Sequence, residues 1–218
     1  MAKIVKISAD RPIVKLNDLE QIDADVLDAD GYHDYVSLSD TSLDGRDLEG
    51  LKLSESELSG VSVSDVDLSH GRISDSHISG LAGTKVKGIN LALRNTEIKE
   101  SRLGVLDLSD ADLKTILFKR CKLGFVLLRG ARAVDVTFED CVIEELDLTG
   151  ATITRLSLRG SSIQALTLST ESATALDLRE AELTTLSGTR SLHGVILDEH
   201  QLMQFAGQFV QQLGARIM

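Results

Sequence analysis

Side chains that could carry out chemistry are present, but their spacing matches no catalytic or metal-binding motif. Neither HExxH nor HxH spacing occurs among the five histidines, which are His33, His70, His77, His193 and His200. The chain also lacks Cys-x-x-Cys, the phosphate-cradling GxxxxGK and the nucleophile motif GxSxG. His70 and His77 could approach each other if the chain turns between them, but isolated surface histidines are the simpler interpretation. The sequence therefore predicts a non-enzyme without catalytic residues, metal or cofactor.

Composition limits the elements that could position functional side chains. With 42% apolar residues in 218 positions the chain can bury a core, but aromatic residues make up only 3% and tryptophan is absent. The core must therefore be built from branched aliphatic side chains of similar size. No apolar run is long enough for a membrane span, the first ten residues lack a secretory signal, and two cysteines are too few for a disulfide scaffold. We expect a protein of the reducing cytoplasm without membrane contact.

Charge is unevenly distributed along the chain, whose net charge is −11. Residues 10–75 hold 17 acidic residues against five basic ones, whereas residues 113–134 hold six basic residues and no acidic one. This segregation predicts a polarised particle whose acidic end repels nucleic acid. No direct binding of nucleic acid is expected.

Hydrophobic residues recur every five positions from Leu38 to Leu183. The register never slips, and 28 of its 30 slots are apolar, with Gly83 and Gly88 as the two exceptions. A period of five fits neither a helix, which repeats every 3.6 residues, nor a strand, which alternates every two. It predicts a repeat that turns a corner every five residues.

A second column of residues predicted to point inward lies two positions before each central position, and large and small residues alternate in it with a period of ten. From residue 106 it contains Leu106, Ala111, Ile116, Cys121, Val126, Ala131, Val136, Cys141, Leu146, Ala151, Leu156, Ser161, Leu166, Glu171, Leu176, Ala181 and Leu186. This alternation is what a four-sided coil of twenty residues requires, because slots ten residues apart then lie on opposite faces. Cys121 and Cys141 should stack as a reduced packing ladder, although adjacent coils also permit a bridge.

The pattern resembles the pentapeptide-repeat family, whose unit is small–Asp/Asn–Leu–polar–Gly. Good copies are Ala111-Asp112-Leu113, Val66-Asp67-Leu68 and Leu146-Asp147-Leu148-Thr149-Gly150. The resemblance implies an all-β fold, a right-handed quadrilateral parallel β-helix with a short C-terminal α-helix. It predicts an N-terminal capping segment over residues 1–35, the β-helix over 36–190, and a C-terminal helix and tail over 191–218. At Gly83 and Gly88 we expect a distorted coil or a small loop.

Both ends of such a stack need covering, because unpaired backbone groups invite aggregation. Short strands over residues 4–7 and 12–16 are predicted as the N-terminal cover. Asp198 and Gln201 fit a capping box, and the helix after it has one apolar stripe, Leu202, Phe205, Ala206, Phe209 and Leu213. Gly214 is placed to end this helix, and residues 215–218 could return as a strand. The helix either caps the last coil or pairs with its copy in a homodimer, as in several members of the family.

Two surface columns are candidate sites. Asp47, Asp67, Asp107 and Asp147 should form an acidic column, interrupted by Lys87 and Leu127. This column could bind cations or imitate a phosphate backbone, but aspartate is also the turn residue of the repeat. Apolar residues at slots that should face water form a candidate partner surface of Val105, Phe125 and Leu127, near Leu117, Val134 and Val142. A packed N-terminal arm over this patch is the competing interpretation.

The sequence thus favours a non-enzymatic interaction or scaffold module with an unknown protein partner. The family resemblance implies one specific alternative, since some pentapeptide-repeat proteins bind DNA gyrase or topoisomerase IV as DNA mimics and confer fluoroquinolone resistance. The basic band over residues 113–134 counts against a continuous anionic face.

Overall fold

The chain winds into a parallel β-solenoid of about nine turns with one C-terminal helix, over the residues described by the computed structural model, 6–189 and 192–212. The predicted all-β solenoid is therefore confirmed. Its strands are β1 Glu20–Gln21, β2 Tyr32–Asp34, β3 Val36–Ser39, β4 Lys52–Ser54, β5 Glu57–Ser59, β6 Val66–Asp67, β7 Arg72–Ser74, β8 His77–Ser79, β9 Ala82–Lys87, β10 Ala92–Lys99, β11 Arg102–Asp107, β12 Asp112–Lys119, β13 Lys122–Leu127, β14 Arg132–Glu139, β15 Val142–Asp147, β16 Thr152–Ser157, β17 Ser162–Thr167, β18 Ser172–Ala173, β19 Leu176–Asp177, β20 Glu182–Ser187 and β21 Val195–Ile196. A 3₁₀ turn covers Ala24–Val26, and helix α1 covers Glu199–Gln212.

Between β2 and β20 neighbouring strands pair in register with an offset of twenty residues. In one sheet Leu103 pairs with Leu123 and Leu123 with Ile143; this sheet contains β6, β9, β11, β13, β15, β17 and β20, and the other described strands form the second sheet. Each coil has four faces, which we number by their central residues. Face 1 is centred on residues 38, 58, 78 and so on to 178, face 2 on 43 to 183, face 3 on 48 to 168, and face 4 on 53 to 173.

The interior is filled by the central residues and by the column two positions before them. Leu108, Leu128 and Leu148 are at most 1% exposed, and the rings of Phe118 and Phe138 stack with their centroids 4.6 Å apart. Two apolar voids of about 50 and 40 Å³ lie inside the tube. Apolar side chains alone line them, so they stay dry.

Glu171 was predicted to point inward, and this prediction is wrong. Its side chain is exposed, because the chain leaves the ladder just before it. Thr170 N donates to Leu168 O, and the amides of Glu171 and Ser172 both reach Ala151 O, at 3.0 and 3.4 Å. A carboxylate at this slot is thus kept out of the core by a local distortion.

The structure has no loop at Gly83 and Gly88, and the other predicted outcome, a distorted coil, takes the form of a changed corner. Strand β9 keeps the twenty-residue register, with Gly83 opposite Leu103. What changes is the corner between faces 2 and 3. Gly45 and Asp65 turn it with φ angles of 70° and 56°, whereas β9 passes through it as extended strand. A Cβ atom at Gly83 would lie 2.5 Å from the carbonyl oxygen of Val63, so glycine is needed where the two corner types meet.

At Gly88 the space of the missing side chain is already occupied. A Cβ atom there would lie 3.1 Å from methyl carbons of both Leu91 and Leu108. Larger neighbours therefore close the gap that the sequence left open, and the coil stays regular.

The N-terminal residues do not form the predicted strand over residues 12–16, and residues 4 and 5 lie outside the described part. Residues 6–16, which we call the arm, run without secondary structure along the side of the solenoid. Ile13 N donates to Asn95 Oδ1 at 2.8 Å, Asp10 N donates to Asp135 Oδ1 at 3.0 Å, and Arg11 bonds Glu139. Proline at position 12 has no amide to donate, and side-chain contacts replace a ladder.

The first coil is covered instead by residues 20–27. Strand β1 pairs with β3, Glu20 lying opposite Val36, and Leu27 is buried. Arg46 donates from Nη1 to Ala24 O at 2.8 Å and from Nη2 to Leu27 O at 2.7 Å. These bonds tie the cover to the coil beneath it.

The opposite end is closed by helix α1, which begins with the predicted capping box. Gln201 N donates to Asp198 Oδ1 at 2.8 Å, and Asp198 N donates to Gln201 Oε1 at 3.2 Å. Three glutamines of the helix then satisfy carbonyl groups of the last coil: Gln201 bonds Leu178 and Ala181, Gln204 bonds Leu183, and Gln208 bonds Leu186. None of the described helices is long and apolar enough to cross a bilayer.

Candidate functional site

A groove of about 640 Å³ runs along face 2 across strands β9, β11, β13 and β15. One wall is the column of Arg102, Lys122 and Val142, which are consecutive partners in register. The other wall is the corner column that contains Val105 and Phe125. Phe125 is 44% and Val142 51% exposed. These are large apolar side chains that the fold leaves in water.

The floor of the groove exists because two glycines lie between the walls. A Cβ atom at Gly104 would be 2.5 Å from the carbonyl oxygen of Thr84, and a Cβ atom at Gly124 would collide with the carbonyl oxygen of Gly104. The coils stack so closely here that no side chain fits. The missing side chains leave a depression that the sequence interpretation did not anticipate, although the twenty-residue spacing of the glycines was a visible signal.

The candidate partner surface of Val105, Phe125 and Leu127 divides between two columns. Val105 and Phe125 stack beside each other in the groove. Leu127 lies on the adjacent column between Asp107 and Asp147, where it is partly buried. The structure thus brings the first two residues together with Val142 and places the third beside the groove.

The arm lies on a different side of the solenoid and leaves this groove open. Its anchors are Asn95, Asp135 and Glu139, which belong to β10 and β14. Between these strands lies β12, whose Leu117 faces outward and is nevertheless 3% exposed. Pro12 of the arm is also buried, and we attribute the burial of Leu117 to the arm.

The two carboxylate anchors of the arm, Asp135 and Glu139, are held in ion pairs. Arg155 donates to both carboxylate oxygens of Asp135, at 2.5 and 2.7 Å. Burial opposes ionisation of Asp135, but the bonds from Arg155 and from Asp10 N outweigh burial and lower its pKa. The Lys119 ammonium, 2.5 Å from Glu139, likewise lowers the pKa of that carboxyl, and Arg11 adds to the effect.

The register places Asp47, Asp67, Asp107 and Asp147 in one column that Lys87 and Leu127 interrupt. Each of these aspartates accepts a hydrogen bond from the backbone amide two residues later, as a turn residue does.

Two of these carboxylates are also neutralised. Lys87 Nζ lies 2.6 Å from Asp67, and Arg129 Nε lies 2.6 Å from Asp147. Burial disfavours both charges, but these cations and the turn bonds lower the pKa of each carboxyl. The column therefore carries a mixed charge.

Helix α1 divides its apolar residues between the coil and the solvent. Phe205 is 6% exposed and packs with Phe209 against the core, whereas Leu202 is 50% and Met203 73% exposed. Ala206 is partly buried. Leu213 and Gly214 lie outside the described residues, as do residues 215–218, for which a strand was expected. The helix covers the last coil and also presents an apolar surface outward.

Histidines and cysteines do not assemble into a reactive site in the described part of the chain. No group of three His, Cys, Asp or Glu side chains there is suited to holding a metal ion. His70 lies 3.9 Å from Glu49, and His77 lies 3.0 Å from Glu97.

Cys121 and Cys141 are free and buried. The neighbouring Cys121 thiol and burial raise the pKa of Cys141, which keeps its thiol protonated. The two residues fill space between coils.

No family model matches the chain, and no curated protein matches it in sequence. Among solved structures it is similar to a trypsin-treated form of QnrB1, a plasmid-mediated fluoroquinolone resistance protein, with 14% identity over 91% of this chain and 96% of that one and a TM-score of 0.37. Full-length QnrB1 is 18% identical over 82% of this chain and 99% of its own, with a TM-score of 0.32.

A third similar structure is HetL, a pentapeptide repeat protein involved in heterocyst differentiation regulation from the cyanobacterium Nostoc. It is 19% identical over 75% of this chain and 86% of its own, with a TM-score of 0.25. With TM-scores below 0.5, these likenesses carry no conclusion about this chain. Its coil has four faces, central aliphatic residues and a twenty-residue register, which agrees with the resemblance to the pentapeptide-repeat family in its sequence.

Proposed function

We propose that this protein is a non-enzymatic scaffold that binds another protein through the groove on face 2. The observation that carries the proposal is the exposure of Phe125 and Val142 beside Arg102 and Lys122, two cations without an ion pair among the described residues. Large apolar residues are exposed together mainly where a partner covers them. The interior of the described coils supports the same proposal, because apolar side chains fill it.

The test is affinity capture from the native host with the full chain. Phe125→Asp should lose the bound partner, because the substitution places a charge in the apolar wall. Val26→Asp is a matched control, since Val26 is 46% exposed at the N-terminal end of the solenoid, away from the groove. Equal recovery of every partner by Phe125→Asp and by the unchanged protein would refute the proposal.

A homodimer through helix α1 is a further part of the proposal. Leu202 and Met203 are exposed on the outer side of this helix, and a second copy would cover both. The mass from light scattering should be twice that of the chain and should fall to that of a monomer in Leu202→Asp. A monomeric mass for the unchanged protein would leave α1 as a cap.

The alternative function is a DNA-mimicking binder of DNA gyrase or topoisomerase IV. The excess of acidic residues over positions 10–75 favours it, whereas Lys87 and Arg129 neutralise part of the aspartate column. A gyrase supercoiling assay tests this alternative directly. Absence of both inhibition and drug protection at micromolar protein would exclude it.

A further inference from the structure

Cations of this solenoid commonly pair with a carboxylate on an adjacent coil. Four such pairs join residues twenty apart: Lys87 with Asp67, Lys119 with Glu139, Arg120 with Glu100, and Arg155 with Asp135. Within the described residues, Arg102 and Lys122 have no ion pair and no side-chain hydrogen bond. Their column explains this, because it continues to Ala82 below and to Val142 above. Arg102 and Lys122 thus lack the carboxylate on an adjacent coil that the four paired cations have.

The spacing of this column suits one kind of ligand. Adjacent coils are about 4.8 Å apart, so one carboxylate between Arg102 and Lys122 can reach both. From that midpoint Val142 is about one and a half coils away, roughly 7.2 Å. In an extended peptide, side chains on the same side are two residues apart, or about 6.8 Å. An acidic residue followed two positions later by an apolar one matches the column.

The rest of the groove favours the same ligand and orients it. Gly104 and Gly124 leave the floor without side chains, so a peptide backbone can approach the coil. Phe125 lies on the opposite wall, on the same strand as Lys122, and adds apolar surface across the groove from Val142. Glu144 lines the groove beside Val142 and repels a carboxylate at that end. The same carboxylate and the net charge of −11 disfavour nucleic acid as the occupant.

We infer that the groove binds an extended acidic segment of a partner protein. The carboxylate of this segment pairs with Arg102 and Lys122, and an apolar residue two positions later packs against Val142 and Phe125. This inference rests on the proposed function, since it names the chemistry of the partner at the same site.

The experiment is an NMR titration of the full chain with two synthetic peptides. The first contains Glu-Thr-Val between Gly-Ser and Ser-Gly ends, and the second contains Lys-Thr-Val instead. The Glu-Thr-Val peptide should shift the amide signals of Gly104, Gly124 and Phe125 with saturation, and the Lys-Thr-Val peptide should not. No saturable shift with millimolar Glu-Thr-Val peptide would overturn the inference.

Two charge-reversal variants separate local recognition from net charge. Arg102→Glu with Lys122→Glu should weaken binding of the Glu-Thr-Val peptide at least tenfold and create binding of the Lys-Thr-Val peptide. The control is Lys52→Glu with Arg72→Glu, because these are also exposed, stacked partners on face 4 and change the net charge equally. Equal weakening in both double variants would overturn the inference.

The outcome also distinguishes this inference from the proposed function. If Phe125→Asp loses the captured partner but the Glu-Thr-Val peptide does not bind, the groove binds protein through other chemistry and the inference is wrong. If the peptide binds but Phe125→Asp retains every partner, the inference about the groove holds and the proposed scaffold role is wrong.

Discussion

Two sides of the solenoid each direct a large apolar side chain outward, and they differ in whether another part of the chain covers it. Leu117 on β12 and Phe125 on β13 both face outward, yet Leu117 is 3% and Phe125 44% exposed. The arm is anchored on both sides of Leu117, at Asn95 and Asp135, whereas no described segment lies over Phe125. An outward apolar residue in this fold is therefore either covered by the chain itself or left for another molecule. The covered side should matter for stability, and the open side for binding.

The largest expected effect comes from truncating one apolar residue on each side. Leu117→Ala should lower the free energy of unfolding by about 2–3 kcal/mol, because it removes a buried side chain. Phe125→Ala should lower it by less than about 1 kcal/mol, since the ring is largely in water. Chemical denaturation measures both. Equal losses would mean that the arm does not cover Leu117 in solution.

A smaller effect is expected from removing one charge beneath the arm and one charge of an exposed ion pair. Asp135→Asn keeps a residue that tolerates the positive φ of this corner but leaves Arg155 unpaired and mostly buried. We expect a loss of about 2 kcal/mol. Glu100→Gln breaks an exposed pair with Arg120 and should cost under about 0.5 kcal/mol. A loss in Glu100→Gln as large as in Asp135→Asn would contradict the distinction between the covered and the exposed ion pair.

The smallest effect is the contribution of the covered side to the pH dependence of stability. The folded chain lowers the pKa of Asp135 and of Glu139 from ordinary values of 3.8 and 4.5. These carboxylates therefore stabilise the fold above those values, and their contribution is lost as the pH falls through the lowered folded pKa. Denaturation midpoints should decline below about pH 5, and Glu139→Gln should make the decline shallower. An unchanged slope in this variant would show that Glu139 does not take part.

The path of the coil could be predicted from the sequence because it depends on local repetition. Leu108, Leu128 and Leu148 repeat at a fixed interval, and a fixed interval places every fifth side chain in the same environment. The capping box at Asp198 was predictable for the same reason, since its two partners are three residues apart. The five-residue period gave the wrong orientation for Glu171, where the chain leaves the ladder. A regular period carries no information about a local distortion of the backbone.

Features made by distant segments could not be predicted from periodicity. Asp10 and Asp135 are 125 residues apart, and no pattern in either segment identifies the other as its partner. The groove was missed for a different reason. Gly104 and Gly124 look like turn residues in the sequence, and only the close approach of neighbouring coils shows that they form a floor. The glutamines of α1 were likewise unremarkable until the open edge of the last coil was present to receive them.

The change of corner at Gly83 has a consequence for lengthening the molecule. Above it, every coil from β9 to β17 uses the same extended corner, and each coil bonds only to its neighbours. Inserting a duplicate of residues 104–123 should therefore add one coil, about 4.8 Å in height, and lengthen the groove on face 2 by the same distance. A duplicate of residues 64–83 would instead be inserted at the junction where the corner turned by Gly45 and Asp65 meets the extended corner of β9, and the two corner types do not match. Coils can therefore be added between β9 and β17, but not at the junction near Gly83.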